Sequence, residues 1–149
     1  MSSRPPSIVA LANDDYGAKH VGRTQDGCQF FLTNPFVPAT AEDFGREFIA
    51  LYLFDKVGGL IEARIDDLGA RSEHDCKEAQ QLYKQRLAEL GPVEYCRIEV
   101  QPFKVEQFGV VFGFISRPPE DDDDGWWVEV QPGNYMAFHE PWDSGEYDT

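Results

Sequence analysis

Residues 46–69, REFIALYLFDKVGGLIEARIDDLG, constrain the fold of this chain more than any other stretch. Phe48, Ala50, Tyr52 and Phe54 alternate with Ile49, Leu51 and Leu53, so an extended segment here is apolar on both faces. Neighbouring side chains of a strand point to opposite sides, and a strand apolar on both needs a covering layer on each. Asp55–Gly59 has turn chemistry, and Gly58-Gly59 permits positive φ. The return segment mixes Ile61, Ala63 and Ile65 with Glu62, Arg64 and Asp66, which predicts a half-exposed strand with the three apolar residues on its core face. The reading is a β-hairpin whose first strand lies at the centre of the protein.

One helix is predicted, from about Glu73 to Leu90. Cys76, Ala79, Tyr83, Leu87 and Leu90 recur at helical spacing with Leu82 beside them. Ser72 fits the N-cap, Asp75 follows it at capping-box distance, and Gly91-Pro92 supplies the stop. Strands are expected in SIVALAN (residues 7–13), CQFFLTNPF (28–36), EYCRIEVQPF (94–103) and GVVFGFIS (109–116). The Gly-punctuated stretch 14–27 reads as a loop, and Lys104–Gly109 as a link. WWVEVQPGNYMAFHE reads as a second hairpin, with Pro132 and Gly133 placed for a type II turn.

The expected fold class is therefore α+β: one domain over residues 1–149, a largely antiparallel β-sheet of about five to seven strands, and one principal α-helix packed on it. The expected core draws on Ile8, Val9, Phe30, Leu32, Phe48, Ala50, Tyr52, Phe54, Ile61, Ile65, Leu87, Leu90, Ile98, Val111 and Phe112. The apolar run near the N-terminus is too short for a signal-peptide core, and no run approaches a bilayer span, so a cytoplasmic location is expected. Cys28, Cys76 and Cys96 are odd in number and widely spaced, which argues against a disulfide framework and against zinc-ligand spacing.

Charge divides the chain unevenly. The net charge is −14, and residues 118–149 carry 10 of the 27 acidic residues, none of the 13 Lys and Arg, and all three tryptophans. An acidic surface of this kind disfavours nucleic acid and anionic membrane as partners, because both select basic patches. The C-terminal segment is instead an acidic, aromatic feature appended to a nearly ordinary body.

Several motifs along the chain approach specific chemistry without completing it. With Gly125 at position 6 of an EF-hand loop, Glu120, Asp122 and Asp124 fall at positions 1, 3 and 5, but position 12 is the neutral Gln131. Pro118-Pro119 forbids the preceding helix, so no metal site is expected. Cys28, Cys96, Ser144, His139 and Asp143 are the candidates for nucleophilic catalysis, and none lies in a recognisable signature. Asp14-Asp15 and Asp66-Asp67 are carboxylate pairs of the kind acid–base chemistry needs, although most such pairs are solvated surface. Gly58-Gly59 lacks phosphate-loop spacing, and no cofactor is implied.

The strings GREFIALYLFD, EARIDDLG and VEVQPGNYMAFHEPWDSGEYDT resemble a group of uncharacterised bacterial proteins. That resemblance implies no activity, cofactor or site residue. In size and charge the chain is also similar to small acidic α+β proteins that neutralise bacterial toxins.

The expected function is non-enzymatic: binding of a basic protein partner, in the manner of an immunity protein or inhibitor. Trp126, Trp127, Trp142 and Tyr147 are the expected aromatic anchors, with Asp121, Asp122, Asp123 and Asp124 as a charged rim. Because Trp126 and Trp127 are neighbours entering a strand, one of the two rings should stay partly exposed unless another element covers it. The alternative is a carboxylate-based hydrolase or small-molecule enzyme using His139. The tail beyond Glu140 is expected to dock through Trp142 and to be ordered to about Tyr147, because those two rings are costly to leave in water.

Overall fold

The computed structural model describes residues 5–14, 18–38, 40–41, 45–70, 76–121, 125–133 and 136–148. In chain order the elements are β1 (Val9–Leu11), β2 (His20–Thr24), β3 (Gln29–Thr33), β4 (Phe36–Val37), β5 (Arg46–Phe54), β6 (Leu60–Gly69), α1 (Cys76–Glu89), β7 (Val93–Tyr95), β8 (Ile98–Val100), β9 (Phe103–Gln107), β10 (Val110–Arg117), β11 (Trp127–Gln131) and β12 (Ala137–Phe138). The protein is mostly antiparallel β-structure with a single helix among the described residues.

The strands form three sheets rather than one. In a six-stranded sheet β5 pairs with β3, β4 and β6, and β2 and β7 follow β3; a four-stranded sheet runs β12-β11-β10-β9, and β1 pairs with β8. Glu47 of β5 pairs with both Phe36 and Gly69, so β4 and β6 flank opposite edges of β5. Ala50 likewise pairs with both Thr33 and Ile65, which puts β3 on the β4 side. Between β3 and β4 the chain is held to β5 by Asn34 Nδ2 donating to the Phe48 carbonyl at 2.5 Å and by the Phe48 N–H donating to the Pro35 carbonyl at 2.9 Å.

The two apolar faces of β5 serve two separate clusters. Phe48, Ala50, Tyr52 and Phe54 join Val9, Phe31, Phe112, Phe114, Val128 and Phe138 in the larger one. Ile49 and Leu51 join Phe30 and Leu32 in the smaller one, against which Leu82, Tyr83 and Leu87 of α1 and Leu90 just beyond it pack. Arg86 extends the contact to β6: its Nε and Nη2 donate to Asp66 Oδ2 and Oδ1 at 2.7 and 2.8 Å. These bonds, with a further one to Glu89, hold the guanidinium pKa above its ordinary value. Gly91, with φ of 72°, closes the helix where the sequence places its stop. The N-cap reading at Ser72 and Asp75 lies outside the described residues.

Several expectations are corrected. Ile61 is 58% exposed, not core. The β5–β6 register passes from Leu53↔Glu62 to Phe54↔Leu60, so Ile61 is the extra residue of a bulge, and Leu60 takes the core side with Ala63 and Ile65. The stretch expected as a loop contains β2, which pairs with β3 and β7. Gly22, which reads as a breaker, is where the β7 backbone comes closest: a Cβ there would lie 2.0 Å from the Glu94 carbonyl oxygen. The expected link at Lys104–Gly109 is β9 followed by a tight turn, in which Phe108 and Gly109 both have positive φ. Val111 is half-buried, whereas Phe31, Leu51 and Phe114, absent from the expected core, are fully buried.

β2 and α1 meet at His20. The His20 Nδ1 lies 2.5 Å from the Tyr83 hydroxyl, which is also 3.2 Å from the Leu32 carbonyl, and the rings of Tyr83 and Tyr95 flank the imidazole. Burial, then the charge of Lys19, lowers the His20 pKa below its ordinary value of 6.5. A group whose pKa is lowered by folding takes up its proton first in the unfolded chain. Stability should therefore fall as the pH drops through about 6.5 and level off once the folded imidazole is protonated as well. Thermal melts at pH 7.5 and 5.5 check this. His20→Phe should lose less melting temperature across that window than wild type, and equal losses would dismiss the linkage.

Candidate functional site

The C-terminal third builds a surface on the outer side of the four-stranded sheet. Val128 and Val130 of β11 point into the larger core, so Trp127, Glu129 and Gln131 take the opposite face. Glu129 is only 5% exposed there. Its Oε1 accepts from Arg117 Nε and from Gln131 Nε2, each at 2.6 Å, and Arg117 Nη2 also lies at 2.6 Å. Arg117 is the last cationic residue in the sequence, and its charge is taken up by this contact.

β12 brings a second set of groups beside the first. Glu129 pairs with Ala137, and one step further out the rings of Trp127 and His139 stack with centroids 6.4 Å apart and planes 26° apart. His139 Nε2 lies 3.4 Å from Asp148 Oδ2. An open cleft of about 520 Å³ is lined by Glu120, Trp126, Trp127, Ala137, His139 and Glu140. On the other side of the His139–Glu140 ridge, a concavity of about 700 Å³ meets Asp14, Glu146, Tyr147 and Asp148.

The tail lines the larger concavity and is bonded to the N-terminal strand and to β12. The Ala10 N–H donates to the Trp142 carbonyl at 2.9 Å and the Ala12 N–H to the Gly145 carbonyl at 3.0 Å. Ala137 and Asp148 exchange both backbone bonds, at 2.9 and 2.8 Å, and the Tyr147 hydroxyl donates to Asp14 Oδ2 at 2.6 Å. Gly145, with φ of 80°, is buried where a Cβ would sit 3.0 Å from the Ala12 Cβ, so this turn requires glycine. The tail therefore docks as the sequence led us to expect.

No family model, curated protein or solved structure matches this chain.

The eight expected binding residues separate into distinct places. Trp126 and Trp127 are both half-buried and share the smaller cleft. Trp142 and Tyr147 are also half-buried, but they pack against the larger core cluster, so much of each ring is used inside the fold. Asp121 is exposed, and Asp122, Asp123 and Asp124 lie outside the described residues. Glu120, His139 and Glu140 line this cleft although the sequence reading did not assign them to the binding surface. The hairpin register carried a signal for part of this, since pairing Val128 with Phe138 already puts His139 next to Trp127.

Of the expected nucleophile candidates, Ser144 and His139 line the same concavity of about 700 Å³, and Cys28 and Cys96 lie elsewhere. Cys28 and Cys96 are half-buried at opposite ends of the β2 region, and the Cys96 N–H donates to the Val21 carbonyl. Ser144 Oγ accepts from the Glu146 N–H. Among the described residues no group of three His, Cys, Asp or Glu side chains is arranged to hold a metal ion. No helix among them is long and apolar enough to cross a membrane.

Proposed function

We propose that this protein is a non-enzymatic binding protein for a basic protein partner, of the immunity or inhibitor type, acting in the cytoplasm. The observation that carries the reading is the meeting of Trp126 and Trp127 with Glu120 and Glu140 in one open cleft. An aromatic centre with a charged rim is the anatomy of a protein interface, and acidic rims steer cationic partners. The 10 acidic residues of residues 118–149, a segment without Lys or Arg, add long-range attraction for the same partners. In this reading α1, packed over the far face of the six-stranded sheet, completes a rigid scaffold that needs no change on binding.

A carboxylate-based hydrolase is the second reading, favoured by His139 and several carboxylates around the 700 Å³ concavity. His139 and Asp148 have 51% and 80% of their side-chain surface exposed. Both groups face open water, which a reaction site normally excludes, so binding is the better-supported reading.

The test is capture from native cell extract at about 0.1 M and 0.5 M salt, using wild type beside Trp126→Ala/Trp127→Ala, with captured chains identified and then purified. The expected partner is rich in Lys and Arg, is released at the higher salt, and is lost by the double variant. If the purified partner binds both proteins equally, or is not basic, the reading fails.

A further inference from the structure

We propose that the Trp126–Trp127 cleft takes an arginine side chain, so that the basic partner is read through a guanidinium group. The inference rests on the binding reading above and adds the chemistry of recognition. Three features of the cleft carry it. Its walls include two half-buried indoles, and cations are attracted to indole faces. Its remaining lining includes Glu120 and Glu140, neither of which has an ion-pair partner among the described residues. The nearest cation in sequence, Arg117, is held by the buried Glu129 and does not line the cleft. The chain thus presents aromatic surface and two carboxylates to the same space of about 520 Å³, and among the described residues no Lys or Arg lines it.

Arginine fits better than lysine for a physical reason. The cleft is open and its indoles keep contact with water, so it offers little to offset stripping the tight hydration shell of an ammonium group. A guanidinium is weakly hydrated and planar. It can lie flat on an indole while its edge donates to carboxylates on either side. His139, stacked on Trp127, holds that ring in place from within the hairpin.

The probe is the peptide acetyl-Gly-Arg-Gly-amide, titrated into the full-length protein labelled with ¹⁵N and followed at the three indole N–H signals. Peptides with lysine or citrulline in place of arginine are the comparisons, citrulline being the neutral counterpart of the same shape. Saturable shifts at Trp126 or Trp127 are expected with arginine and not with citrulline. The dissociation constant should be about threefold weaker or more in Glu140→Gln and again in Glu120→Gln. Both positions are exposed, so the variants should fold normally, and their unchanged spectra verify it. Absent shifts, equal shifts with citrulline, or indifference to both variants overturn the proposal, and equal binding of the lysine peptide overturns the choice of arginine. The outcome is separable from that of the extract experiment. A basic partner that needs the tryptophans can exist without arginine recognition, and arginine binding can stand where no protein is captured.

Discussion

Gln29→Glu is expected to lower the melting temperature by about 10 °C or more, the largest effect of any single charge change in the interior. Gln29 is 1% exposed and joins two sheets through its amide. Nε2 donates to the carbonyls of Asp55 and Glu99 at 3.1 and 2.8 Å, and Oε1 accepts from the Glu99 N–H at 2.8 Å. The side chain behaves as a short piece of strand between β3 and β8. A carboxylate keeps the acceptor and loses the donor, so a buried anion would face two carbonyl oxygens. An unsatisfied buried group costs roughly 1–3 kcal/mol, and a charged one more. Gln29→Leu removes the bonds without adding charge and should cost about 2–3 kcal/mol. Circular-dichroism melts at neutral pH rank the two. If Gln29→Glu melts within about 2 °C of wild type, the amide does not hold β8 to β3.

Removing residues 141–149 should destabilise the protein by about 4 kcal/mol, through lost burial of Trp142 and Tyr147 and re-exposure of the apolar residues beneath them. For a chain of this size that corresponds to about 8–16 °C in melting temperature. β1 would suffer most. Val9, Ala10 and Leu11 are at most 1% exposed, and the Ala10 and Ala12 N–H groups both bond to the tail. Hydrogen exchange of the intact protein gives the residue-level check, with protection expected at Ala10, Ala12, Ala137 and Asp148. An unchanged melting temperature together with free-peptide exchange in the tail would show that the tail is not part of the folded unit.

The parts of this architecture that were legible in the sequence are those set by local rules. The β5–β6 hairpin follows from strict alternation and a glycine turn, and the end of α1 from Gly91. What failed was set by distant partners. β2 has a single apolar residue, Val21, in its interior, and exists because β3 and β7 bond to its two edges. The bulge at Ile61 inverts the face that strict alternation assigns, and nothing in LIEARI marks it. The division into three sheets depends on β1 meeting β8, about 90 residues away, and the sequence of neither strand names the other. The site was half legible for the same reason. The tryptophans and the surplus of acid stand out in sequence, whereas Glu120 and Glu140, 20 residues apart, join them only through the tertiary fold.

The docking of β1 has a consequence for how the chain comes into being. Its partners are β8 on one edge and residues 142–145 on the other. A ribosome adds about 5–20 residues per second, so Ala10 emerges on the order of ten seconds before Trp142 can reach it. For most of that interval β8 has not been made either, and after it arrives one edge of Val9, Ala10 and Leu11 still stands open, the kind of apolar segment that pairs with the wrong chain. The interior cannot close until the acidic segment is made. That same segment brings the charge that keeps nascent chains apart, so solubility and completion of the fold arrive together during synthesis.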